Sequence, residues 1–213
     1  MANDSVSSRR PLWSGADPLV LASKSESRRA LLIAAGLVAT VVAVEIDERA
    51  LEDRYLADGG SIESLARELA RAKALAASAL RPEAYCLGAD QTLTVENYLL
   101  HKPRDLAEAA HSLAALQART HRLTSAFCIA RSGKVLVVDQ DSAHLQMRSL
   151  NGTAIAQYLD LAGPGVLGNA GVYQLEGLGV HLFDRIDGGH ATILGMPMLK
   201  LLAWLRGQGL ISL

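Results

Sequence analysis

Residues 19–32 constrain the fold most strongly, because a short apolar run is followed there by a polar turn and then by a second apolar run. The turn interleaves serines with charged side chains and ends in Arg28 and Arg29. This order predicts a strand, a turn and a helix, with Gly36 ending the helix. Backbone N–H groups, hydroxyls and guanidinium groups then converge near the helix N-terminus, which suits an anion such as phosphate. The alternative is a serine-rich turn that only caps the helix.

The composition favours an α/β fold in which helices pack on a sheet. Half of the 213 residues are apolar, only 4% are aromatic, and Ala and Leu are abundant. This balance is more typical of layered helices and sheets than of an all-β barrel. No shift in composition divides the chain. We therefore expect a flexible N-terminal extension over residues 1–17 and a single domain of two lobes over residues 18–213.

The charge balance and the cysteines bear on partners and location. Lys and Arg number 21 against 22 for Asp and Glu, which argues against a nucleic-acid-binding surface or a polybasic membrane patch. Cys86 and Cys128 lie in apolar, strand-like runs, as expected of buried thiols in a reducing cytoplasm. The apolar residues 30–44 are too short to span a bilayer and lack a small-residue cleavage pattern. An exported or membrane-associated protein anchored by this run is the alternative to a cytoplasmic one.

Hydrophobic periodicity predicts strands and helices along the whole domain. The predicted helices cover residues 28–35, 62–80, 106–117, 153–161 and 197–206. The predicted strands cover residues 38–46, 85–89 continued by 92–95, 98–100, 123–129, 135–138, 143–147 and 178–186. Ser61, Asp105 and Asn151 have the side chains of N-cap residues. The glycines of residues 163–168 match the letters of a dinucleotide-binding loop, but they follow a helix rather than a strand, so we interpret them as a connector.

Lys73 lies within the apolar stripe of the predicted helix over residues 62–80. At about 100° per residue it shares a face with Leu69 and Ala76. A lysine in that position must either extend to solvent or meet an anion. We favour the anion, because other charged residues already occupy the polar face.

Several catalytic motifs are absent from the sequence. It contains no GxxxxGK[ST] phosphate-binding loop, no HExxH zinc motif and no GxSxG nucleophile elbow, and its six histidines lack metal-ligand spacing. What remains is a set of charged residues near strand ends. The set comprises Arg28, Asp47, Lys73, Asp90 and Lys102.

These residues supply the groups that hydrolysis of a triphosphate requires, namely cations on the phosphate oxygens, carboxylates for Mg²⁺ and a base for water. Asp47 and Asp90 are able to share one hard cation. Arg28, Lys73 and Lys102 are able to neutralise the phosphates. The alternative for each residue taken alone is an ordinary surface charge or ion pair.

Short blocks of sequence surround these charged residues in a fixed order. The blocks are Leu-Ala-Ser23-Lys-Ser25 followed by Arg28, Ile46-Asp47-Glu48, Lys73-Ala, Gly88-Ala-Asp90-Gln91, Lys102-Pro103, Thr120-His121, Ala170-Gly171-Val-Tyr173, Glu176-Gly177 and Gly195-Met-Pro197. In this order, from about residue 19 to residue 206, they resemble the Maf family of nucleoside triphosphate pyrophosphatases, once named for septum-formation inhibition.

The resemblance implies an inosine-triphosphatase-like α/β fold, with an elongated mixed sheet flanked by helices and two lobes around a central cleft. It also implies hydrolysis of a non-standard or modified nucleoside triphosphate to the monophosphate and pyrophosphate, in a house-cleaning role. The implied cofactor is a divalent metal cation, Mg²⁺ or Mn²⁺, and the implied assembly is a homodimer.

The resemblance assigns roles to individual residues as well. It implies Asp90 as the catalytic proton acceptor, with Lys73 and Lys102 beside it. The implied substrate-binding residues are Ser23, Arg28, Gln91 and Glu176. The implied metal ligands are Asp47 and Asp90.

Two departures from the family pattern bear on the substrate. The common Ser-Pro-Arg-Arg sequence is here Ser25-Glu26-Ser27-Arg28, so only the second arginine is present. The glutamine that many members have near the base pocket is here Glu176, whose carboxylate suits the cationic ring or exocyclic donors of a methylated guanine. Both changes, and Gln91, look more like the branch associated with 7-methyl-GTP than the branch associated with dTTP and UTP. The alternative function is a catalytically weak, nucleotide-binding regulator of cell division.

Overall fold

The computed structural model describes residues 12–213 and contains one seven-stranded mixed sheet flanked by helices. The strands are β1 (Leu19–Ala22), β2 (Thr40–Val41), β3 (Tyr85–Val95), β4 (Tyr98–Leu100), β5 (Thr120–Arg131), β6 (Lys134–Met147) and β7 (Phe183–Asp187). The helices are α1 (Glu26–Ala34), α2 (Glu48–Ala57), α3 (Ile62–Leu80), α4 (Leu106–Leu116), α5 (Gly152–Ala162), α6 (His190–Ile193) and α7 (Met198–Gly207). Two short 3₁₀ helices cover Pro164–Gly168 and Leu178–Leu182.

The strand order is β2-β1-β3-β5-β6-β7, and β4 pairs with β3 as a hairpin. β1 runs parallel to β2 and β3, whereas the pairs β3–β5, β5–β6 and β6–β7 are antiparallel. The predicted α/β class and mixed sheet are therefore confirmed. β3 is central in this order, so the side chains on its two faces meet different layers of the molecule.

One face of β3 joins two clusters of buried apolar side chains. Leu87 and Ala89 belong to a cluster with α1 and α7, whereas Leu93 and Val95 belong to a cluster with α4 and α5. Gln91 lies between these two pairs on the same face, because side chains alternate along a strand. The middle of β3 is thus the place where the two clusters meet.

The opposite face of β3 packs against α3 at Gly88. A Cβ atom at this position would lie 2.2 Å from the Ala70 carbonyl oxygen and 2.5 Å from the Ala74 nitrogen. Only glycine allows this approach of helix backbone to strand. The close contact brings Lys73 of α3 over Asp90, two residues further along β3.

Most predicted elements are confirmed. Helix α3 begins after its N-cap Ser61, α4 after Asp105 and α5 after Asn151, and each cap side chain accepts a hydrogen bond from a backbone N–H three residues on. The predicted strands over residues 98–100 and 123–129 are present as β4 and within β5, whereas the two strands predicted over 135–138 and 143–147 are one continuous strand, β6. Cys86 and Cys128 are buried free thiols, and burial raises their pKa to about 11 and about 12, respectively.

Two further predicted strands differ from the structure in extent or type, and one helix was missed. The buried strand over residues 38–46 is reduced to Thr40–Val41 at a sheet edge, and Val38 is 84% exposed. β-Branched composition alone suggested burial there, but only one side of this segment has a strand to pair with. The predicted strand over residues 178–186 begins with a 3₁₀ helix and becomes a strand only at Phe183. Helix α2 was not predicted, because it buries no residue fully and shows no apolar stripe.

The structure describes only part of the predicted N-terminal extension, residues 12–17. Residues 1–11 lie outside the described part of the chain. Residues 12–17 contact the domain: Ser14 N–H donates to the Leu210 carbonyl at 2.8 Å, and Asp17 forms an ion pair with Arg131. This part of the extension therefore packs on the domain. Within residues 12–213, no helix is both long and apolar enough to cross a bilayer.

We expect Gly88→Ala to lower the free energy of unfolding by about 1–3 kcal/mol, because the added methyl group overlaps the α3 backbone. Denaturant unfolding measures the change. Gly152→Ala is the matched control, since Gly152 begins α5 and a Cβ there meets nothing within 4 Å. Equal stability of the two variants would contradict the close packing of α3 on β3.

Candidate active site

The turn between β1 and α1 is held together by its own serines and arginine. Ser25 is the N-cap of α1, and its Oγ accepts a hydrogen bond from the Arg28 N–H. The Arg28 guanidinium donates to Ser23 Oγ at 3.1 Å and, through Nε, to the Gly195 carbonyl at 2.9 Å. Burial lowers the pKa of Arg28, and the carboxylates of Asp90 and Glu48 oppose that shift. An arginine remains a cation in such a setting.

Lys73 connects two carboxylates at the centre of the site. Its Nζ donates to Asp90 Oδ2 at 2.5 Å and to Glu48 Oε1 at 2.7 Å. The side chains of Lys73 and Asp90 are only 12% and 10% exposed, whereas that of Glu48 is 55% exposed. Asp90 Oδ1 also accepts the Gln91 N–H at 2.7 Å. The predicted meeting of Lys73 with an anion is confirmed, and the anions are these two carboxylates.

Glu48 was missed as a site residue by sequence reasoning, although it belongs to the Ile46-Asp47-Glu48 block. The structure brings Glu48 to Lys73, whereas Asp47 is exposed and caps α2, its Oδ1 accepting the Ala50 N–H at 2.9 Å. The signal that distinguishes the two acidic residues is positional: Asp47 precedes an unpredicted helix, and N-cap residues are commonly aspartates.

The carboxylates of Glu48 and Asp90 allow a test of whether the site suits a divalent cation. Among residues 12–213 no three His, Cys, Asp or Glu side chains are grouped as in a complete metal site. Both carboxylates approach one atom, Lys73 Nζ, so their oxygens lie close together. Mg²⁺ commonly takes one or two carboxylates and completes its shell with substrate phosphates and water. The donor set fits that mode of binding, and metal binding by Asp47 and Asp90 stays a prediction.

Two adjoining compartments open around Lys73. The first, of about 420 Å³, has a mixed wall, in which leucines from α3, β3, β4 and β5 lie beside charged and polar side chains. We name it the apolar compartment after those leucines. The polar compartment, of about 850 Å³, is lined by residues 22–28 and by the segment around Asp47. Arg28, Lys73, Lys102 and Glu48 border both compartments. Three of the predicted cations therefore lie where the two compartments meet.

Gln91 lies in the wall of the apolar compartment and joins secondary-structure elements. Its amide Nε2 donates to Ser125 Oγ at 2.9 Å and to the carbonyls of Thr192 and Ile193 at 3.0 and 2.9 Å. These contacts tie α6 to β3 and β5. Because the amide donors are already used within the protein, substrate binding by Gln91 stays a prediction that involves its Oε1 alone.

Residues 169–176 form a further part of the wall of the apolar compartment, and Glu176 is exposed there.

Three other polar residues in the wall of the apolar compartment, Arg49, Glu52 and His101, were missed by sequence reasoning. Arg49 lies 2.6 Å from His101 Nε2 and 2.9 Å from Glu52, so α2 is joined to the segment that precedes Lys102. Burial lowers the pKa of His101, and Glu52 opposes that shift. The position of His101 beside Lys102 was the only available signal.

Comparison with known proteins covers nearly the whole chain. Residues 18–208 match the family described as Maf-like protein. The chain belongs to the Maf family. It is 45% identical to the nucleoside triphosphate pyrophosphatase of Nitrobacter winogradskyi over 95% of this chain and 99% of that protein. It is 46% identical to the 7-methyl-GTP pyrophosphatase of Rhizobium etli over 91% of this chain and 98% of that protein.

A buried histidine, His121, lies behind the apolar compartment, within the residues that match the Maf family. His121 is 1% exposed and lies 2.7 Å from the Tyr173 hydroxyl through Nε2, while its Nδ1 has no hydrogen-bond partner among the described residues. Burial lowers the pKa of His121 to about 4. The imidazole is therefore neutral at physiological pH and contributes to the Maf fold rather than to phosphate binding.

His121 makes the stability of this Maf-family chain depend on pH. The unfolded chain binds a proton at an ordinary histidine pKa, whereas the folded chain does so only at about pH 4, so stability falls as the pH drops between these values. From about pH 8 to pH 5 we expect His121 to remove about 2 kcal/mol from the free energy of unfolding. Denaturant unfolding of wild type and His121→Phe at both pH values isolates this contribution. An identical pH dependence in both proteins would contradict it.

Proposed function

We propose that this protein hydrolyses a nucleoside triphosphate to the nucleoside monophosphate and pyrophosphate. The observation that supports it best is Lys73, held between the carboxylates of Asp90 and Glu48 where the polar and apolar compartments meet. A nucleotide needs both kinds of partner that meet here, since its anionic phosphates suit the cations Arg28, Lys73 and Lys102 and its base suits the leucines of the apolar compartment. The names of the Nitrobacter and Rhizobium relatives support the same reaction.

The polar compartment is suited to the phosphate chain. Arg28 and Lys102 border it, and so do Ser25 and Ser27 at the N-terminus of α1, where the helix dipole favours an anion. Lys73 is already paired with two carboxylates, so an entering triphosphate competes with Glu48 for its Nζ. Glu48 is the more exposed of the two carboxylates and is the one that can move aside.

Asp90 is suited to activate the attacking water. Its carboxylate is oriented by the Gln91 N–H on one oxygen and by Lys73 on the other. In the proposed step the water oxygen bonds to the α-phosphorus, the bond from that phosphorus to the α–β bridging oxygen breaks, and pyrophosphate leaves. The proton of the water passes to Asp90. Lys73 and Lys102 neutralise the charge that develops on the phosphate oxygens.

A divalent cation belongs to this proposal as well. Bound Mg²⁺ or Mn²⁺ supplies Lewis-acid neutralisation of phosphate oxygens. Glu48 and Asp90, together with the predicted ligand Asp47, are the residues that would hold it.

The apolar compartment is suited to the base, and we propose 7-methyl-GTP as the preferred substrate over dTTP and UTP. Glu176 places a carboxylate in its wall, which suits a cationic methylated guanine. Relatives with both kinds of name have similar identity to this chain, so the preference rests on Glu176.

We also propose that the protein acts in the cytoplasm, supported by the buried free thiols Cys86 and Cys128. The near balance of acidic and basic residues supports a small-molecule substrate rather than nucleic acid. Assembly as a homodimer stays a prediction from the family resemblance.

Asp90→Asn tests the catalytic proposal. We expect kcat to fall by about 10²–10⁴, because an amide is not a base, while the fold is retained. Pyrophosphate release in the presence of Mg²⁺ or Mn²⁺ is the measurement. Asp139→Asn is the matched control, since Asp139 pairs with Lys200 on the surface and the same chemical change there leaves the rate unaltered. A wild-type rate in Asp90→Asn would refute the role of Asp90.

Glu176→Gln tests the base preference. We expect the ratio of kcat/KM for 7-methyl-GTP to that for UTP to fall about tenfold, as loss of one charge-assisted contact predicts. The panel contains 7-methyl-GTP, GTP, UTP and dTTP. An unchanged ratio would contradict the role of Glu176. Nucleotide binding by the wild type without any pyrophosphate product would support the alternative of a nucleotide-binding regulator.

A further inference from the structure

The wall segment, residues 169–176, has no regular secondary structure, yet it faces the apolar compartment along most of its length. It lies between the two 3₁₀ helices. A segment without a helix or strand must be held by side chains and isolated backbone bonds, because unsupported loops are mobile. The contacts that hold it therefore decide the shape of the compartment.

Val172 is the strained point of the wall segment. It is fully buried, with a φ of +61°, although a β-branched residue strongly disfavours positive φ. Such a conformation persists only where the surroundings impose it. The Val172 N–H donates to the Asn169 carbonyl at 3.1 Å, and the Val172 carbonyl accepts the Tyr158 hydroxyl at 2.9 Å. The Tyr158 hydroxyl is thus hydrogen-bonded to the strained residue itself.

Tyr173 provides the second attachment. Its ring packs edge-to-face on Phe183 at 4.8 Å between centroids, and its hydroxyl lies 2.7 Å from His121 Nε2. The Gly171 backbone packs against the same ring, since a Cβ atom at Gly171 would lie 2.3 Å from Tyr173 Cε1. Two buried tyrosine hydroxyls, from Tyr158 and Tyr173, therefore fix consecutive residues of the wall segment.

We propose that Tyr173 and His121 are positioning residues that set the base selectivity of the cleft. Their hydrogen bond holds Tyr173, and through it the following residues Gln174, Leu175 and Glu176, against the apolar compartment. The proposal rests on the proposed function, since the selectivity concerned is that of the same cleft. His121 lies behind the wall and contacts Tyr173 rather than the reacting groups, so its effect on substrate is indirect.

This arrangement predicts a kinetic signature that differs from that of a merely stabilising contact. Release of the wall segment changes how tightly and how selectively the base binds. Lys73 on α3 and Asp90 on the other face of β3 keep their geometry. A uniform loss of stability lowers the amount of active enzyme and leaves KM and selectivity unchanged.

The test uses Tyr173→Phe in the full chain, with Tyr85→Phe as the matched control. Tyr85 also loses one hydroxyl hydrogen bond, to Arg131 at 3.1 Å, but it lies at the start of β3 outside the wall of either compartment. For Tyr173→Phe we expect KM for the preferred triphosphate to rise about tenfold with kcat within about twofold, and the selectivity ratio among bases to fall. We expect Tyr85→Phe to match the wild type in KM, in kcat and in the selectivity ratio.

Hydrogen exchange supplies a readout that needs no activity. We expect faster deuterium uptake over residues 169–176 in Tyr173→Phe and in Tyr158→Phe, but not in Tyr85→Phe. The double variant His121→Phe/Tyr173→Phe should equal Tyr173→Phe in KM and in uptake, because both changes remove the same hydrogen bond.

The outcomes separate this inference from the proposed function. If the wild type releases pyrophosphate but Tyr173→Phe keeps its KM, selectivity and uptake, the inference is overturned and the proposed function stands. If no triphosphate is hydrolysed by the wild type, the proposed function fails, and unchanged uptake in Tyr173→Phe then overturns the inference as well. Additive effects in the double variant would overturn the pairing of His121 with Tyr173.

Discussion

The contact of α3 with β3 at Gly88 is the constraint on which the rest of the site depends. Because the helix backbone lies directly on the strand there, Lys73 is brought over Asp90 one turn after Ala70. The two side chains are then nearly enclosed, and their charges must be satisfied by each other. The position of the central ion pair thus follows from a glycine that allows two backbones to meet.

The ion pair of Lys73 with Asp90 is weak evidence for stability and stronger evidence for function. Desolvation of two buried charges offsets much of their attraction, so apolar residues of similar volume could pack there at little or no cost. The chain instead retains Lys73, Asp90 and a third charge, Glu48, at the junction of two compartments. Such a cluster has a use when an anionic ligand enters, because Glu48 is exposed enough to yield its place to a phosphate oxygen.

Local structure could be predicted from the sequence wherever a residue and its near neighbours along the chain determine it. Ser61, Asp105 and Asn151 cap helices as predicted, because capping involves atoms only a few residues apart. The segment at residues 38–46 was misjudged, since its burial depends on which strands lie beside it. The contacts of Gln91 with α6 could not be predicted from the sequence either, because they join positions about a hundred residues apart.

The sequence by itself determined the family blocks, the amphipathic helix that contains Lys73 and the chemical kinds of group available to a phosphate site. Only the tertiary structure decided that Glu48 rather than Asp47 meets Lys73, and that Tyr173 is anchored by His121. The physical reason is the range of the interactions. Periodicity and capping act within a few turns of the chain, whereas the partners of a buried charge or hydroxyl are chosen by how strands and helices pack.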